Sequence, residues 1–385
     1  MDERFRIRHW HAVVLAAVLV AATACTGGNA PPTGGRPTAT GPAVGGTPAS
    51  ATSPSATTTA AVAGELRLMT HSSFAISDEV MREFERVHDV RVRVLDSGDA
   101  GSMVNQAILA RGAPLADVLF GVDNTFLSRA LEADLFVPYR SELLEHVPSE
   151  LQLDQEERVT PIDYGDVCLN YDRAAFDAQL PPPQGLEDLV DERYRGMLVV
   201  ENPATSSPGL AFLLATIAHF GEDGARTWLD YWADLRANDV LVTADWNDAY
   251  YGRFSGGAGE GERPIVVSYA SSPAAEVVFS EPQPAEAPTA VVEEGCFRQV
   301  EFAGILRGAR DEGIAQEFID FMLSERFQAD IPLNMFVFPA NAEVELPDVF
   351  ARHAAAIDNP TELDPFDIGA ERERWIEEWT DVVLR

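Results

Sequence analysis

The sequence predicts an α/β fold organised around a parallel sheet. Strand and helix patterns alternate from residue 64 onward, and polar clusters follow several of the predicted strands. The chain has 385 residues, of which 46% are hydrophobic and 23% charged, a composition typical of globular proteins. At this length it can form two domains with sizeable cores.

The predicted elements follow one another at the spacing of strand-helix units. Apolar segments with strand character lie at 66–69, 90–95, 117–120, 197–200, 265–269 and 299–305. Segments with a helical pattern lie at 77–88, 102–111, 125–132, 208–220, 227–235, 314–323 and 370–383.

Polar clusters come directly after several of these strands. They are His71-Ser72-Ser73, Ser97-Gly98-Asp99, Asp123-Asn124 and Ser271-Ser272. Ligands of open α/β sheets bind beyond the carboxyl ends of the strands. We therefore expect a binding cleft at these positions, although strand ends are polar in any α/β protein.

The charge balance excludes several classes of protein. The chain has 28 basic and 62 acidic side chains, a net charge of −34, and every basic residue is arginine. A nucleic-acid binder or a polybasic membrane-surface protein needs a basic surface. The acidity is compatible with a cationic ligand, but a solvated acidic surface is the commoner explanation.

The first 24 residues have the pattern of a signal peptide. Arg4, Arg6 and Arg8 precede an apolar run over 12–22, which is too short to span a bilayer as a stable helix. Small residues then lead to Cys25, as in a bacterial lipobox, which predicts lipidation of Cys25 and anchoring to the outer face of the cell membrane. Ordinary secretion with cleavage nearby is the alternative.

Residues 25–63 are predicted to be a disordered tether. Of the 38 residues in 26–63, 34 are Gly, Ala, Pro, Ser or Thr, so this segment cannot bury a core. A flexible coil of this length spans roughly 35 Å. Residues 1–63 hold four basic and two acidic side chains, so 64–385 carry 24 and 60, a net charge of −36.

No catalytic motif is present in the sequence. The most informative polar stretch is 202–209, which follows an apolar strand and opens a strongly helical segment. Ser206 and Ser207 would offer hydroxyl and backbone donors to an anion at that helix N-terminus. An ordinary N-cap is the alternative, and a remote one is an exported hydrolase that uses Ser206 or Ser207 as nucleophile.

Trp246, Tyr250, Tyr251 and Tyr269 form an aromatic cluster in the sequence. Aromatic faces attract a delocalised cation, although each ring taken singly is more often a core residue. The adjacent Tyr250 and Tyr251 also allow a ferric-iron site, because paired phenolates are hard ligands.

Cys168 and Cys296 are the thiols that remain after Cys25. In an exported protein two such cysteines usually pair, and they lie near the start of the apolar segments 167–170 and 297–305, which would form adjacent strands. A disulfide is therefore predicted, with two buried free thiols as the alternative.

Several motifs follow one another in a specific order. They are Ser72-Ser73-Phe74-Ala75, Ala116-Asp117-Val118, Gly121-Val122-Asp123-Asn124, Asp163-Tyr164-Gly165, Thr205-Ser206-Ser207-Pro208-Gly209-Leu210, Trp246-Asn247-Asp248-Ala249-Tyr250, Ser268-Tyr269-Ala270-Ser271-Ser272-Pro273-Ala274, Ile331-Pro332 and Arg374-Trp375-Ile376-Glu377-Glu378-Trp379. In this order they resemble the thiamine-binding component of bacterial ABC importers, within the spermidine/iron/thiamine group of solute-binding proteins.

The resemblance implies a type II periplasmic-binding-protein fold, with two α/β lobes joined by hinge strands and a ligand cleft between them. The first lobe would comprise 64–166 and 298–385, and the second 167–297. It implies a monomer without cofactor or metal that binds thiamine, its phosphate esters or a related heteroaromatic cation, and delivers it to an ABC permease. On the matching positions, the implied ligand-binding residues are Asp99, Ala100, Ser206, Ser207, Trp246, Tyr269, Ala270, Ser271 and Ser272. Further candidates for the site are the carboxylates Asp123 and Asp163 together with His71, Tyr164, Tyr250 and Phe336.

The chain departs from the family pattern at aromatic positions. His71 and Ala275 stand where enterobacterial members have tyrosine, and Phe336 is the nearest match to a tryptophan. Ala100 replaces a glycine. These departures weaken the aromatic argument for thiamine but do not favour iron, since Tyr250 belongs to the thiamine-family match and only Tyr251 is left unexplained.

Overall fold

Ten strands form one mixed sheet in the computed structural model, which describes residues 64–385. The predicted signal peptide, the lipidation site Cys25 and the tether lie outside these residues. The strands are β1 (Gly64–Thr70), β2 (Val90–Asp96), β3 (Val118–Asp123), β4 (Phe136–Val137), β5 (Thr160–Asp172), β6 (Leu198–Glu201), β7 (Leu241–Thr243), β8 (Ile265–Tyr269), β9 (Thr289–Leu306) and β10 (Phe338–Pro339).

Helices follow most of the strands in the chain and pack against the sheet. They are α1 (Asp78–His88), α2 (Ala100–Leu109), α3 (Leu127–Glu132), α4 (Ser207–Phe220), α5 (Trp228–Ala237), α6 (Ser272–Phe279), α7 (Glu312–Leu323), α8 (Glu325–Gln328), α9 (Ile331–Asn334), α10 (Asp348–His353) and α11 (Pro365–Val383). A π-helical turn covers Asp248–Arg253. Within 64–385, no helix combines the length and the apolar character needed to cross a membrane.

The strand order is β2-β1-β3-β9-β5-β8-β6-β7, with β4 paired to β9 and β10 to β5. The outer pairs β1–β2, β1–β3, β6–β7 and β6–β8 are parallel. The central strands β5 and β9 are antiparallel to each other and to their outer neighbours. The prediction of a parallel sheet is therefore wrong for the centre, because the chain crosses the molecule once in each direction there.

β5 and β9 are long because each runs through two α/β lobes. The sequence predicted only 167–170 and 297–305 as apolar strand segments, whereas β5 begins at Thr160 and β9 begins at Thr289 and includes Glu293 and Glu294. Because of these polar residues, the hydrophobicity pattern does not indicate a strand in this part of the sequence. Pairing with β5 along nearly its whole length satisfies the backbone and keeps the segment extended.

The predicted lobe boundaries, 166/167 and 297/298, fall on paired residues of the two crossing strands. Asp166 lies opposite Arg298 and Val167 opposite Phe297, and the register shifts directly after Val167. The boundaries remain a prediction that this irregularity supports. Helix α11, counted with the first lobe, contacts α3 of the first lobe and α5 of the second.

Cys168 on β5 and Cys296 on β9 are joined by a disulfide, as predicted. Both residues are buried, and their Cα atoms are 4.4 Å apart. The bond ties the crossing strands together beside the predicted boundary between the lobes.

We expect the double substitution Cys168→Ala/Cys296→Ala to lower the free energy of unfolding by about 2–5 kcal/mol, because the bond closes a long loop in the unfolded chain. The residues are separated by 128 positions. Urea unfolding of the wild type with and without reductant measures the effect. The double variant should not respond to reductant; equal stability of all three samples would contradict the prediction.

Candidate ligand-binding site

A cavity of about 300 Å³ lies between the two lobes. Its walls come from loops that follow the sheet strands and from the starts of α2, α4 and α6. The lining residues include His71, Ser72, Ser73, Phe74, Asp99, Ala100, Ser207, Trp246, Asn247, Tyr250, Tyr251, Tyr269, Ser272, Glu276, Phe279, Glu301, Met335 and Phe336. This volume is at the lower end of the range for small-molecule sites, about 300–1,000 Å³.

An aromatic wall is built on the π-helical turn after β7. The rings of Trp246 and Tyr250 stack with centroids 4.9 Å apart, and Tyr251 meets Trp246 edge-on at 5.4 Å. The indole N–H of Trp246 donates to the Ser268 hydroxyl over 3.0 Å, which fixes the ring orientation. The wall therefore presents a positioned indole to the cavity.

Phe336 lines the cavity from the other lobe. Its φ of 55° lies in the left-handed region, which costs energy for a residue with a bulky side chain. The Ser271 hydroxyl donates to the Phe336 carbonyl and helps to hold this conformation. Phe279 of α6 packs edge-on against Phe336 with centroids 5.2 Å apart.

Three carboxylates line the cavity, those of Asp99, Glu276 and Glu301. Asp99 caps α2 through the Ala100 N–H at 2.8 Å, and burial raises its pKa. Glu276 accepts a hydrogen bond of 2.6 Å from the Tyr250 hydroxyl. No arginine or lysine side chain lines the cavity among the described residues, so its electrostatic character favours a cation.

His71 and Glu301 form a buried ion pair, with Nε2 and Oε2 3.4 Å apart. Burial opposes protonation of His71, but the charges of Glu301 and Asp99 outweigh it and the pKa of His71 is raised. Burial likewise opposes ionisation of Glu301, yet His71 lowers the pKa of Glu301. Beside them, burial and the Glu301 charge hold the pKa of Asp163 well above its usual range.

Asp123 connects the first lobe to the start of α4. It accepts hydrogen bonds from the Thr125 N–H, at 2.8 Å, and from the Ser207 hydroxyl. Burial raises the pKa of Asp123 to about 6 despite these hydrogen bonds. Asp123 therefore binds a proton more tightly in the folded protein than in the unfolded chain. This difference contributes fully to the free energy of unfolding below about pH 4, and the contribution is lost as the pH rises through about 6.

We expect Asp123→Asn to raise the free energy of unfolding relative to wild type by up to about 3 kcal/mol at pH 7, and by little at pH 4. The asparagine oxygen can still accept from Thr125, while the unfavourable buried charge is removed. Urea unfolding at several pH values between 4 and 8 tests this difference. The exposed Asp358→Asn is the control, and a difference that does not grow with pH would contradict the prediction.

The lobes meet around the cavity. The backbone N–H of Trp246 donates to Asp99 Oδ2 over 3.4 Å, and Asn247 Nδ2 donates to the Ser72 hydroxyl over 3.3 Å. Gly101 of α2 approaches the second lobe so closely that a Cβ there would lie 2.9 Å from the Thr205 carbonyl oxygen. The structure is thus a closed arrangement of two lobes over a central cavity.

A cavity closed between two lobes is typical of proteins that bind a small ligand. The family model described as bacterial extracellular solute-binding protein matches residues 113–357. The chain belongs to this family. The type II periplasmic-binding fold that the sequence predicted is confirmed by the solved structures of such proteins on which it superposes.

Similar solute-binding proteins include the "Thiamine-binding periplasmic protein" of Salmonella typhimurium and that of Escherichia coli K12. Each is 30% identical and aligns with 83% of this chain and 94% of its own. The solved "Periplasmic thiamin binding protein" is 28% identical, covers 83% of this chain and 96% of its own, and has a TM-score of 0.73. Iron-bound HitA from Pseudomonas aeruginosa, 20% identical, has a TM-score of 0.66 over 83% of this chain and 99% of its own, and so is similar in fold.

In this solute-binding protein, nine of the fifteen residues predicted for the ligand site line the cavity. They are His71, Asp99, Ala100, Ser207, Trp246, Tyr250, Tyr269, Ser272 and Phe336. These residues come from separate loops and helix starts that the fold brings together between the lobes.

The other six lie outside the cavity lining. Three of them contact lining residues. Asp123 accepts a hydrogen bond from Ser207, and Ser271 donates one to the Phe336 carbonyl. Asp163 interacts with Glu301 of the His71–Glu301 pair. Ser206 and Ala270 are buried beside lining residues. Tyr164 stacks on Phe338 with centroids 5.3 Å apart, under the Arg298 guanidinium, and is part of the packing of β5 against β10.

Sequence reasoning missed Glu276, Glu301 and Phe279. Glu301 carried a signal, because an acidic residue inside an otherwise apolar predicted strand must find a partner or a ligand. Glu276 and Phe279 follow the Ser-Pro-Ala motif by one and two helical turns and so extend the lining of α6. Their side chains carry no signal of their own, since acids and aromatics are common on helices.

Proposed function

We propose that this solute-binding protein captures thiamine outside the cytoplasm and delivers it to an ABC permease. The observation that carries the proposal is a closed cavity that combines an aromatic wall with three carboxylates and, among the described residues, no basic side chain other than His71. A flat heteroaromatic cation satisfies both features, through its π faces and its charge.

Two groups of thiamine can be assigned to parts of the cavity. We assign the thiazolium ring to the region of Trp246 and Tyr250, where aromatic faces and the Glu276 and Asp99 carboxylates offset its positive charge. The hydroxyethyl arm is assigned to the helix starts at Ala100 and Ser207, which offer polar contacts. The names of the similar proteins from Salmonella typhimurium and Escherichia coli support the same ligand.

Isothermal titration calorimetry of the purified protein with thiamine tests the proposal. We expect a saturable heat at one site per chain, and denaturation of freshly purified protein should release thiamine detectable by mass spectrometry. The absence of heat from protein shown to be ligand-free would overturn the ligand assignment while leaving the fold unaffected.

We expect thiamine monophosphate to bind at least about tenfold more weakly than thiamine. The phosphate adds negative charge beside Asp99 in a cavity whose described lining has no arginine or lysine, and tenfold corresponds to about 1.4 kcal/mol. Calorimetry at pH 7 with both compounds measures the ratio. Equal affinities would show that the helix starts of α2 and α4 balance the added charge.

The runner-up is a ferric-iron binder that uses Tyr250 and Tyr251. Iron-bound HitA has a similar fold, so an iron site is compatible with this fold. However, the Tyr250 hydroxyl already donates to Glu276, and burial together with that carboxylate holds the pKa of Tyr250 well above its usual value. Burial also raises the pKa of Tyr251. Ionising both phenols is therefore unfavourable, and a tyrosinate-to-iron absorption band after addition of ferric citrate would decide for iron.

A hydrolase that uses Ser206 or Ser207 has less support. The Ser207 hydroxyl donates to Asp123, and no histidine hydrogen bonds to either serine within residues 64–385. A serine nucleophile needs a base within hydrogen-bond reach. A serine-directed covalent probe that labels neither residue would remove this alternative.

The anchoring proposal rests on the N-terminal sequence. Lipidation of Cys25 would fix the protein to the outer face of the cell membrane, with 26–63 as a tether and the binding lobes working as a monomer. Labelling of cells with a fatty-acid analogue, in wild type and in Cys25→Ser, tests it. Labelling that survives in Cys25→Ser would contradict the assigned site.

A further inference from the structure

A second cavity, of about 440 Å³, lies along helix α11 and shares no lining residue with the interlobe cavity. Its wall includes Asn105 of α2, Phe126 and Arg129 at the start of α3, Ala204 before α4, and Arg372 of α11. It is therefore formed where α11 packs over both lobes. Nothing in the proposed capture of thiamine uses it.

Arg372 is buried here without the partners that a guanidinium requires. Its exposure is 4%, and neither Nε nor Nη1 has a hydrogen-bond partner. These two nitrogens carry three N–H bonds. An oxygen of the exposed Glu373 carboxylate is 3.8 Å from Nη2, and the centroid of the Phe126 ring is 5.2 Å from Cζ. An unpaired buried charge is costly, so this arrangement calls for an anion.

A second cation faces the same space. Arg129 lines the cavity and forms no ion pair with any other part of residues 64–385. Burial and the nearby Arg129 charge both lower the pKa of Arg372, although Glu373, Asp123 and Glu132 act in the opposite direction. The cavity wall also carries Arg385, which pairs with Asp381, and the exposed Glu373 and Glu377.

Asn105 indicates which anion fits. Its Oδ1 atom is buried and has no hydrogen-bond donor in the described structure. A ligand that offers a hydrogen-bond donor as well as negatively charged oxygens would satisfy both Asn105 and the arginines. Inorganic phosphate near neutral pH has both, since it keeps a P–OH group. Sulfate has no such group, and a phosphate monoester, with a second pKa of about 6, is mostly without one at pH 7.

We propose that this cavity is a binding site for inorganic phosphate. Arg372 and Arg129 supply charge-assisted hydrogen bonds to its ionised oxygens, and Asn105 accepts from its P–OH group. The site is independent of the thiamine proposal, because the two cavities have no residue in common.

Calorimetric titration of the purified protein with sodium phosphate tests the site, in a chloride buffer of constant ionic strength at pH 7. Sodium sulfate and methyl phosphate, a monoester without hydroxyl groups on its organic part, are titrated separately. We expect phosphate to bind saturably at one site per chain and at least about tenfold more tightly than either comparison anion, as the loss of one hydrogen bond to a charged group implies. Asn105→Ala should reduce this preference over sulfate.

Variants then locate the site. Arg372→Gln should abolish the phosphate heat, and Arg129→Gln, which alters a partly exposed side chain, should weaken it by about tenfold without loss of fold. Arg82→Gln, at an exposed ion pair on α1, is the control and should leave binding unchanged. No phosphate heat in wild type, equal binding of phosphate and sulfate, or unchanged binding in Arg129→Gln would each overturn the proposal.

Discussion

Trp246→Ala is expected to raise the dissociation constant for thiamine by roughly 30–150-fold, or about 2–3 kcal/mol. The substitution removes the indole that lines the cavity and also the ring on which Tyr250 stacks. Because Tyr250 loses the ring that it stacks on, we expect the loss of affinity to exceed that of one cation–π contact. Calorimetry measures the constant. Quenching of tryptophan fluorescence by thiamine should also disappear in this variant.

The matched control is Trp246→Phe. It keeps an aromatic face but loses the N–H that donates to Ser268, and its affinity should fall by less than about tenfold. Phe366→Ala, at an exposed ring on α11, should change nothing. If Trp246→Ala binds thiamine as wild type does, the aromatic wall is not the ligand's contact surface.

Gly101→Val is expected to weaken thiamine binding by about 5–150-fold without touching the ligand, which corresponds to 1–3 kcal/mol of overpacking. A Cβ at Gly101 would lie 2.8 Å from the Phe126 ring and 2.9 Å from the Thr205 carbonyl oxygen. The Thr205 carbonyl oxygen belongs to the backbone of the opposite lobe, so this close contact is relieved only if the lobes separate. The variant thus favours an open arrangement, and ligand binding must provide the energy to close it.

Two measurements separate this effect from simple destabilisation. Small-angle scattering with saturating thiamine should give a larger radius of gyration for Gly101→Val than for wild type, while urea unfolding of the ligand-free variant should change much less than its affinity. Gly112→Val is the control, because nothing lies within 4 Å of a Cβ at that position. An unchanged affinity in Gly101→Val would mean that contact between α2 and Thr205 is not required for binding.

Much of the fold follows from local sequence. Helix α1 shows the reason: Ser77 caps it, Asp78 and Glu79 open it, Val80 and Phe84 form its buried face, and the chain ends it at Asp89 in a left-handed conformation. The predicted 77–88 therefore differs from the observed helix only by its cap. Strands β1 and β8 were equally predictable because they are short, apolar and buried.

The two crossing strands were not predictable in full from local pattern. The part of β9 that holds Glu293 and Glu294 has no apolar or alternating period, and its extended form comes from pairing with β5, distant in sequence. The same distance separates Cys168 from Cys296, yet their pairing was predicted, because oxidising export leaves two lone cysteines few alternatives.

The candidate site divides in the same way. Motif order and residue type were enough to point to Trp246, Asp99 and Ser207, whose chemistry is evident from the chain. The sequence could not separate Tyr164 from these residues, since a tyrosine that packs on Phe338 and one that lines a cavity have the same local pattern. It also missed Glu301, whose significance depends on the His71 side chain that meets it.

The sequence by itself determined the α/β class and most of the elements, because propensity and capping are local properties. The export signal and the cation-binding chemistry are predictions from its residue types. Only the tertiary structure decided that the central strands are antiparallel, which carboxylates meet the aromatic wall, and that Arg372 is buried beside Arg129. Those features depend on burial and on distances between residues far apart in the chain, and a charge costs or contributes energy according to its neighbours rather than its position in sequence.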